Sequence, residues 1–275
     1  MEKVIVVIGP TSVGKTKMGV ALAKKFNGEV ISGDSMQIYK QMDIGTAKVT
    51  EEEKEGIIHH CVDILNPDET YSVHDFQQTV RKKITEITQR GHVPIIVGGT
   101  GLYIKAALYD YQFDEMENDH HAINEKYKDY TNEQLHDHLK SIDEESAKIL
   151  HFNNRRRVLR AIEIYETTGK RKSEMLEEQE HICLYDAYFV GLTLPRDVLY
   201  ERINKRVDEW FDYYDHQIDL NDVLELIKKH SRQYAKRQYT WFKNQFDVHW
   251  YDVNLENFEQ TIEQVTDDIE KILKV

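Results

Sequence analysis

The residues best suited to chemistry stand together near the amino end: Gly9-Pro10-Thr11-Ser12-Val13-Gly14-Lys15-Thr16. Their spacing fits G-x-x-x-x-G-K-[ST], a loop whose backbone N–H groups wrap around phosphate oxygens. Lys15 supplies a point charge and the Thr16 hydroxyl is placed for Mg²⁺. The positive end of the helix that follows adds to the same field. A Gly-rich turn with a chance lysine is the alternative. The apolar run Val4 to Ile8 before the loop and the helical pattern after it argue against that reading. The loop predicts a grip on a di- or triphosphate and leaves the fate of the phosphate open.

Other candidates are acids and histidines. Asp34 ends the second predicted strand, at the edge where ligands of parallel sheets collect. A turn cap is the bland alternative for it. The strand 93–97 runs into Gly98-Gly99-Thr100. In many loop-containing ATPases an acid that holds the Mg²⁺ shell stands there, so its absence weighs against an ATPase. His59-His60-Cys61 with Asp63, His74 and Asp75 matches no standard zinc spacing. His120-His121 lies in an acidic helical stretch and receives no role.

These residues need a scaffold. Apolar runs predict strands over 3–8, 29–32, within 57–64, and over 94–97. Helical spacing predicts helices from Lys15 to Phe26 and from Ser72 to Gly91. Strands alternating with helices predict an α/β core, a P-loop NTPase-like parallel sheet flanked by helices. Residues 114–183 show helical periodicity and no good strand. Tyr185 to Leu194 returns to strand character, Pro195 opens another helix, and Phe258, Ile262, Val265, Ile269 and Leu273 mark an amphipathic last helix. The expected organisation is a core from 1–113 and 184–275, with an α-helical insertion over 114–183.

The chain has 275 residues, 40% of them apolar, and a net charge of −13. That balance argues against nucleic-acid binding by bulk attraction. The charge is segregated, however. Acids crowd 114–145, while Arg155-Arg156-Arg157, Arg160, Lys170, Arg171 and Lys172 form one basic stretch. Lys228, Lys229, Arg232, Lys236, Arg237 and Lys243 form another. Two distant cysteines fit reduced thiols in a cytoplasmic protein. No segment reaches the length of a membrane span, and the first apolar run reads as a strand and not as a signal peptide.

Several strings then make the chain resemble one family, the tRNA dimethylallyltransferases (tRNA isopentenyltransferases). They are Gly33-Asp34-Ser35-Met36-Gln37-Ile38-Tyr39, Met42 to Lys48, His59-His60, and Gly98-Gly99-Thr100-Gly101-Leu102-Tyr103. The likeness continues through Asn154 to Ala161, Thr168-Gly169-Lys170, Arg202 to Asp208 and Ser231 to Phe242. It implies transfer of a dimethylallyl group from dimethylallyl diphosphate to N6 of the adenosine beside the anticodon of a tRNA. In that reading residues 9–16 hold the diphosphate, with Mg²⁺ at Thr16. Asp34 orients the amino group and takes its proton, Thr100 contacts the diphosphate or the reacting adenine region, and Arg206 clamps the diphosphate.

For the tRNA anticodon stem-loop the resemblance implies contacts from Asp34, Ser35, Met36 and Gln37, and from Arg156, Arg157 and Arg160. It adds the mixed run Lys236-Arg237-Gln238-Tyr239-Thr240-Trp241-Phe242-Lys243, whose cations and aromatics suit phosphates and bases. The adenosine is expected to flip out of its stack to reach the donor. A monomer is expected. The alternatives are a P-loop kinase of a small metabolite and prenylation of free adenine nucleotides. The family usually carries a longer segment with a Gly-Tyr motif after the arginine–valine–aspartate string. Here Glu209 to Asn221 runs almost directly into the last basic helix: either the segment is lost or residues are missing, and the second is expected, as a chain break between about Asp208 and Asp219.

Overall fold

The computed structural model describes residues 1–111, 120–177, 181–212 and 221–274. The chain divides into two compact units. One joins Met1–Tyr109 to Cys183–Val275, and the other is Asp110–Ile182.

The first unit opens with β1 (Lys3–Ile8), α1 (Lys15–Lys25) and β2 (Gly28–Ser32), then α2 (Glu51–Lys54) and β3 (His59–His60). Next come α3 (Val73–Gln89), β4 (Val93–Gly98) and α4 (Gly101–Leu108). Five helices belong to the second unit among the described residues: α5 (His120–Lys126), α6 (Asn132–Ile142), α7 (Glu144–Ile149), α8 (Arg155–Thr168) and α9 (Lys172–Glu177). The chain then returns through β5 (Asp186–Thr193), α10 (Arg196–Asp212), α11 (Asn221–Gln245), β6 (His249–Asp252) and α12 (Phe258–Leu273).

Six strands form one sheet in the order β3-β2-β4-β1-β5-β6, and every pairing is parallel. β1 is central and apolar throughout because helices cover both faces; Val4 to Ile8 are all 0% exposed. On one face α1, α10 and α12 supply Met18, Leu22, Ile203, Val265 and Ile269 to the core. On the other, α3, α4 and α11 supply Phe76, Val80, Ile84, Ile104 and Phe242. Ser72 starts α3 with a reciprocal capping box to Asp75. The consequence for function is geometric. Each strand points its carboxyl end to the same edge, where Gly9–Gly14, Gly33–Gln37 and Gly99–Thr100 follow β1, β2 and β4.

Three expectations differ. The strand within 57–64 shrinks to His59–His60, because Cys61 and Asp63 turn into positive φ, 61° and 55°. No strand is expected from the residues His249–Asp252; this short strand gains its identity from pairing with β5, through Val190↔His249 to Thr193↔Asp252. The expected chain break also fails where it can be seen. The sequence is continuous, and α10 runs on to Asp212. The rest of that interval, 213–220, lies outside the described residues.

The second unit has its own small core, built on Leu135, Leu139, Val158, Ala161 and Ile162. Asp143 ties it together. Its carboxylate, 1% exposed, accepts from the backbone N–H of Ser146 at 3.0 Å and of Ser173 at 3.1 Å.

Candidate active site

The phosphate loop has the backbone it needs. Gly14 lies at φ 107°, a left-handed angle that disfavours any side chain, and α1 begins at the next residue. The loop residues divide by job. Val13 and Pro10 are buried and carry no polar side-chain atom, and Pro10 also lacks a backbone N–H to give a ligand. The Pro10 carbonyl instead accepts from Lys15 Nζ at 2.8 Å, which curls the ammonium back over the loop. Thr11, Ser12, Gly14, Lys15 and Thr16 line a cavity of about 680 Å³ at the sheet edge.

Asp34 lines the same cavity, together with Gln37, Gly98, Gly99, Arg202, Lys205 and Arg206. Strands β1 and β2 flank β4 in the sheet, so the loops after them open on a common space. Burial pushes the Lys15 pKa down to about 8. The Asp34 charge opposes that shift, and the Arg206 charge adds to it. These three groups therefore lie within electrostatic reach of one another.

The acceptor side is held by hydrogen bonds between loops. Asp34 Oδ1 accepts from the Met36 N–H at 2.9 Å, so the acid does close a local turn as well as line the cavity. Thr100 Oγ1 accepts from the Ser35 N–H at 3.1 Å, and the Thr100 N–H donates to the Gly33 carbonyl at 3.2 Å. Thr100 is thereby fixed beside Asp34. On the donor side, Arg206 Nη1 lies 3.3 Å from Thr11 Oγ1 and 3.5 Å from Ser12 Oγ. One turn earlier, Arg202 Nε donates to the Ser12 carbonyl at 2.8 Å. The spacing i, i+3, i+4 puts Arg202, Lys205 and Arg206 on one face of α10. Of these only Arg206 was expected at the site, although the 202/205/206 spacing in the sequence carried the signal for all three.

The run 236–243 divides by helical phase. Lys236, Arg237, Thr240 and Lys243 are exposed, and Tyr239 and Trp241 are half-buried. Phe242 is 0% exposed within the core, so its expected nucleic-acid contact is corrected: it anchors α11 to the sheet. Gln238, 6% exposed, is corrected likewise, because its amide bonds to Thr11 and Gly99. Gln37 also spends its amide internally, on Ser32 Oγ at 3.0 Å and the carbonyls of Thr46 and Ala47 at 3.3 Å. Ser35 is half-buried, and Met36 is exposed.

Tyr234 was not foreseen. Burial first, then the nearby Asp34 charge, raises its pKa, so it stands within electrostatic reach of Asp34. In the second unit, Arg156 and Arg157 are exposed on α8, while Arg160 pairs with Glu163 at 2.8 Å. Burial and then the charges of Arg157 and Arg160 lower the Lys172 pKa, so this face concentrates positive potential. His60 is accounted for by a 2.6 Å contact with buried Glu29.

The model of the IPP transferase family matches residues 37–212 and again 207–245. A tRNA dimethylallyltransferase of Bacillus cereus is 49% identical, with 92% of this chain and 90% of that protein covered. The chain belongs to the IPP transferase family. The relative from Bacillus anthracis is 48% identical over the same share of this chain. Among solved structures, a tRNA delta(2)-isopentenylpyrophosphate transferase of Staphylococcus epidermidis has a TM-score of 0.70. It is 43% identical, with 98% of this chain and 99% of that one covered. A eukaryotic dimethylallyltransferase described as acting on tRNA has a TM-score of 0.85 at 30% identity, covering 98% of this chain and 79% of that one.

This membership makes the chain a transferase and bears out the α/β reading. The family match breaks and restarts at 207–212, the place where the chain runs short of its expected segment. The Bacillus cereus alignment spans 286 residues, more than the 275 present, so it carries gaps on this side. Among the described residues no helix is long and apolar enough to cross a membrane.

Proposed function

We propose that this chain transfers the dimethylallyl group of dimethylallyl diphosphate to N6 of the adenosine beside a tRNA anticodon, releasing diphosphate. The observation that carries the reading is the shared cavity. The phosphate loop with Lys15, Arg202 and Arg206 lines it together with Asp34.

The chemistry follows from the charges. As the C–O bond of the donor breaks, negative charge grows on the departing diphosphate. Lys15, Arg206 and the loop N–H groups stabilise it where it develops. Adenine N6 is a poor nucleophile, since its lone pair is delocalised into the ring. A carboxylate at Asp34 accepts an N6 proton, orients the lone pair toward the allylic carbon, and holds the proton after the C–N bond forms. Thr100, fixed by the Ser35 N–H, supports that acceptor subsite. Thr16 lines the cavity, and its hydroxyl would hold Mg²⁺ there. When bound, the ion supplies further charge neutralisation at the leaving group.

The exposed cations Lys236, Arg237 and Lys243 on α11 suit tRNA phosphates, as do Arg156 and Arg157 on α8. A small-metabolite kinase fits less well, because β4 ends in Gly98-Gly99 with no carboxylate for a metal shell. The test is direct. The protein is incubated with Mg²⁺, labelled dimethylallyl diphosphate and, in separate reactions, unmodified tRNA, AMP or ATP. Label in tRNA alone is expected; label in the free nucleotides, or in neither, overturns the reading.

A further inference from the structure

The β1–β4 ladder ends at Ile8↔Gly98, and the two loops that matter lie beyond it. Past that point no strand pairing fixes the phosphate loop relative to the turn that carries Thr100. One side chain takes over. Gln238 Oε1 accepts from the Thr11 backbone N–H at 3.0 Å, and Gln238 Nε2 donates to the Gly99 carbonyl at 3.0 Å. The carboxamide has the donor and acceptor of a peptide group, and it bonds one loop on each side as a strand residue would. It is 6% exposed, so both bonds are made away from bulk water, where leaving either group unpaired is costly.

The partners are shaped for it. A Cβ at Gly99 would lie 2.2 Å from Gln238 Nε2, so only glycine admits the amide at this turn. Gln238 is itself anchored, because Phe242, one turn on, is 0% exposed and Ala235 is 1% exposed. A single buried residue on α11 thus touches the donor loop at Thr11 and the acceptor turn next to Thr100.

We propose that Gln238 is a positioning residue: it extends the sheet ladder beyond β1 and β4 and so fixes the spacing between the diphosphate loop and the Asp34–Thr100 subsite. The inference rests on the reading under Proposed function for its kinetic half only. In-line displacement needs the reacting atoms held at near-contact distance, and a shift of about 1 Å between the subsites costs on the order of a hundredfold in rate. Loss of Gln238 is therefore a loss in kcat and not in tRNA affinity. The role is distinct from a tRNA contact, which the buried position does not offer.

The test uses Gln238→Leu, which removes both bonds, and Gly99→Ala, which displaces the amide without changing it. Each variant is expected to lower kcat at saturating substrates roughly ten- to hundredfold, with the tRNA KM within about threefold of the parent. The double variant is expected to be no worse than the worse single one, because both break the same link. If Gln238→Leu does not fold, Gln238→Asn, one methylene too short to span both partners, carries the same expectation.

A raised tRNA KM at unchanged kcat overturns the proposal in favour of a nucleic-acid contact. Unchanged kcat and KM with only a lower melting temperature overturns it in favour of packing. Amide exchange supplies a readout independent of turnover: the Thr11 N–H is expected to exchange at least about tenfold faster in Gln238→Leu than in the parent. Equal exchange overturns the structural half. Failure of the parent protein to label tRNA sinks the function reading and leaves this exchange result to be judged by itself.

Discussion

The Ser35 backbone N–H and the Thr100 hydroxyl, 65 positions apart, share a 3.1 Å hydrogen bond directly beside Asp34. That bond joins the loop after β2 to the turn after β4, next to the acid that lines the cavity with the phosphate loop.

Asp34→Asn retains an acceptor for the Met36 N–H, so the local turn survives the change. It removes the ability to hold a proton. We expect kcat to fall by roughly 10²–10⁴ while tRNA binding stays near the parent value. Turnover close to that of the parent would take Asp34 out of the chemistry.

Lys15 gives a pH dependence of defined sign. Its pKa is lowered to about 8 by burial, so the empty site loses this charge as pH rises through about 8. The affinity for inorganic pyrophosphate is expected to weaken above that pH, and binding near pH 8 is expected to take up protons. Calorimetry in two buffers of different ionisation enthalpy measures the uptake. The same shift means that charging Lys15 opposes folding below its unfolded pKa. Lys15→Met is accordingly expected to bind pyrophosphate poorly and yet melt no lower than the parent.

Arg206 faces Thr11 and Ser12 at hydrogen-bonding distance. Arg206→Ala is expected to lower kcat/KM for dimethylallyl diphosphate roughly 10²-fold, with the tRNA KM little changed. Arg206→Lys is expected to recover only part of the loss, since an ammonium lacks the guanidinium's two-pronged grip. Full recovery with lysine would mean that charge alone matters at this position.

Removing Lys236 and Arg237 together should weaken tRNA binding and lessen its salt dependence, with the log–log slope falling by about 1 to 2. Both residues are exposed, so the fold is expected to be unaffected. A slope equal to that of the parent, measured by filter binding across salt concentrations, would exclude them from the phosphate footprint.

Glu29 makes the fold acid-sensitive. Burial by itself would raise its pKa, but hydrogen bonds from Arg90 and His60 win and lower it from 4.5 to about 2. A carboxylate depressed in the folded state contributes stability above its unfolded pKa and loses it as pH falls toward the folded value. Stability is expected to decline from about pH 4.5 toward pH 2. Glu29→Gln should flatten that part of the curve in denaturant titrations, while lowering stability at pH 7.

The sequence by itself determined the phosphate loop, the parallel sheet and the family, because these rest on local spacing. Glycines, a lysine and a threonine at fixed offsets bend a backbone in one way, and apolar runs between helices can only be buried strands. Asp34 was legible from its place after a strand. What the tertiary structure decided were the residues whose meaning depends on a distant partner. Lys236 to Lys243 reads as one basic-aromatic strip, yet 3.6 residues per turn sends Gln238 and Phe242 inward and leaves Lys236, Arg237 and Lys243 in solvent. Tyr234 came within reach of the Asp34 charge only through the packing of α11, and His249–Asp252 became a strand only beside β5. Periodicity names the faces of a helix; packing alone says which one meets the site.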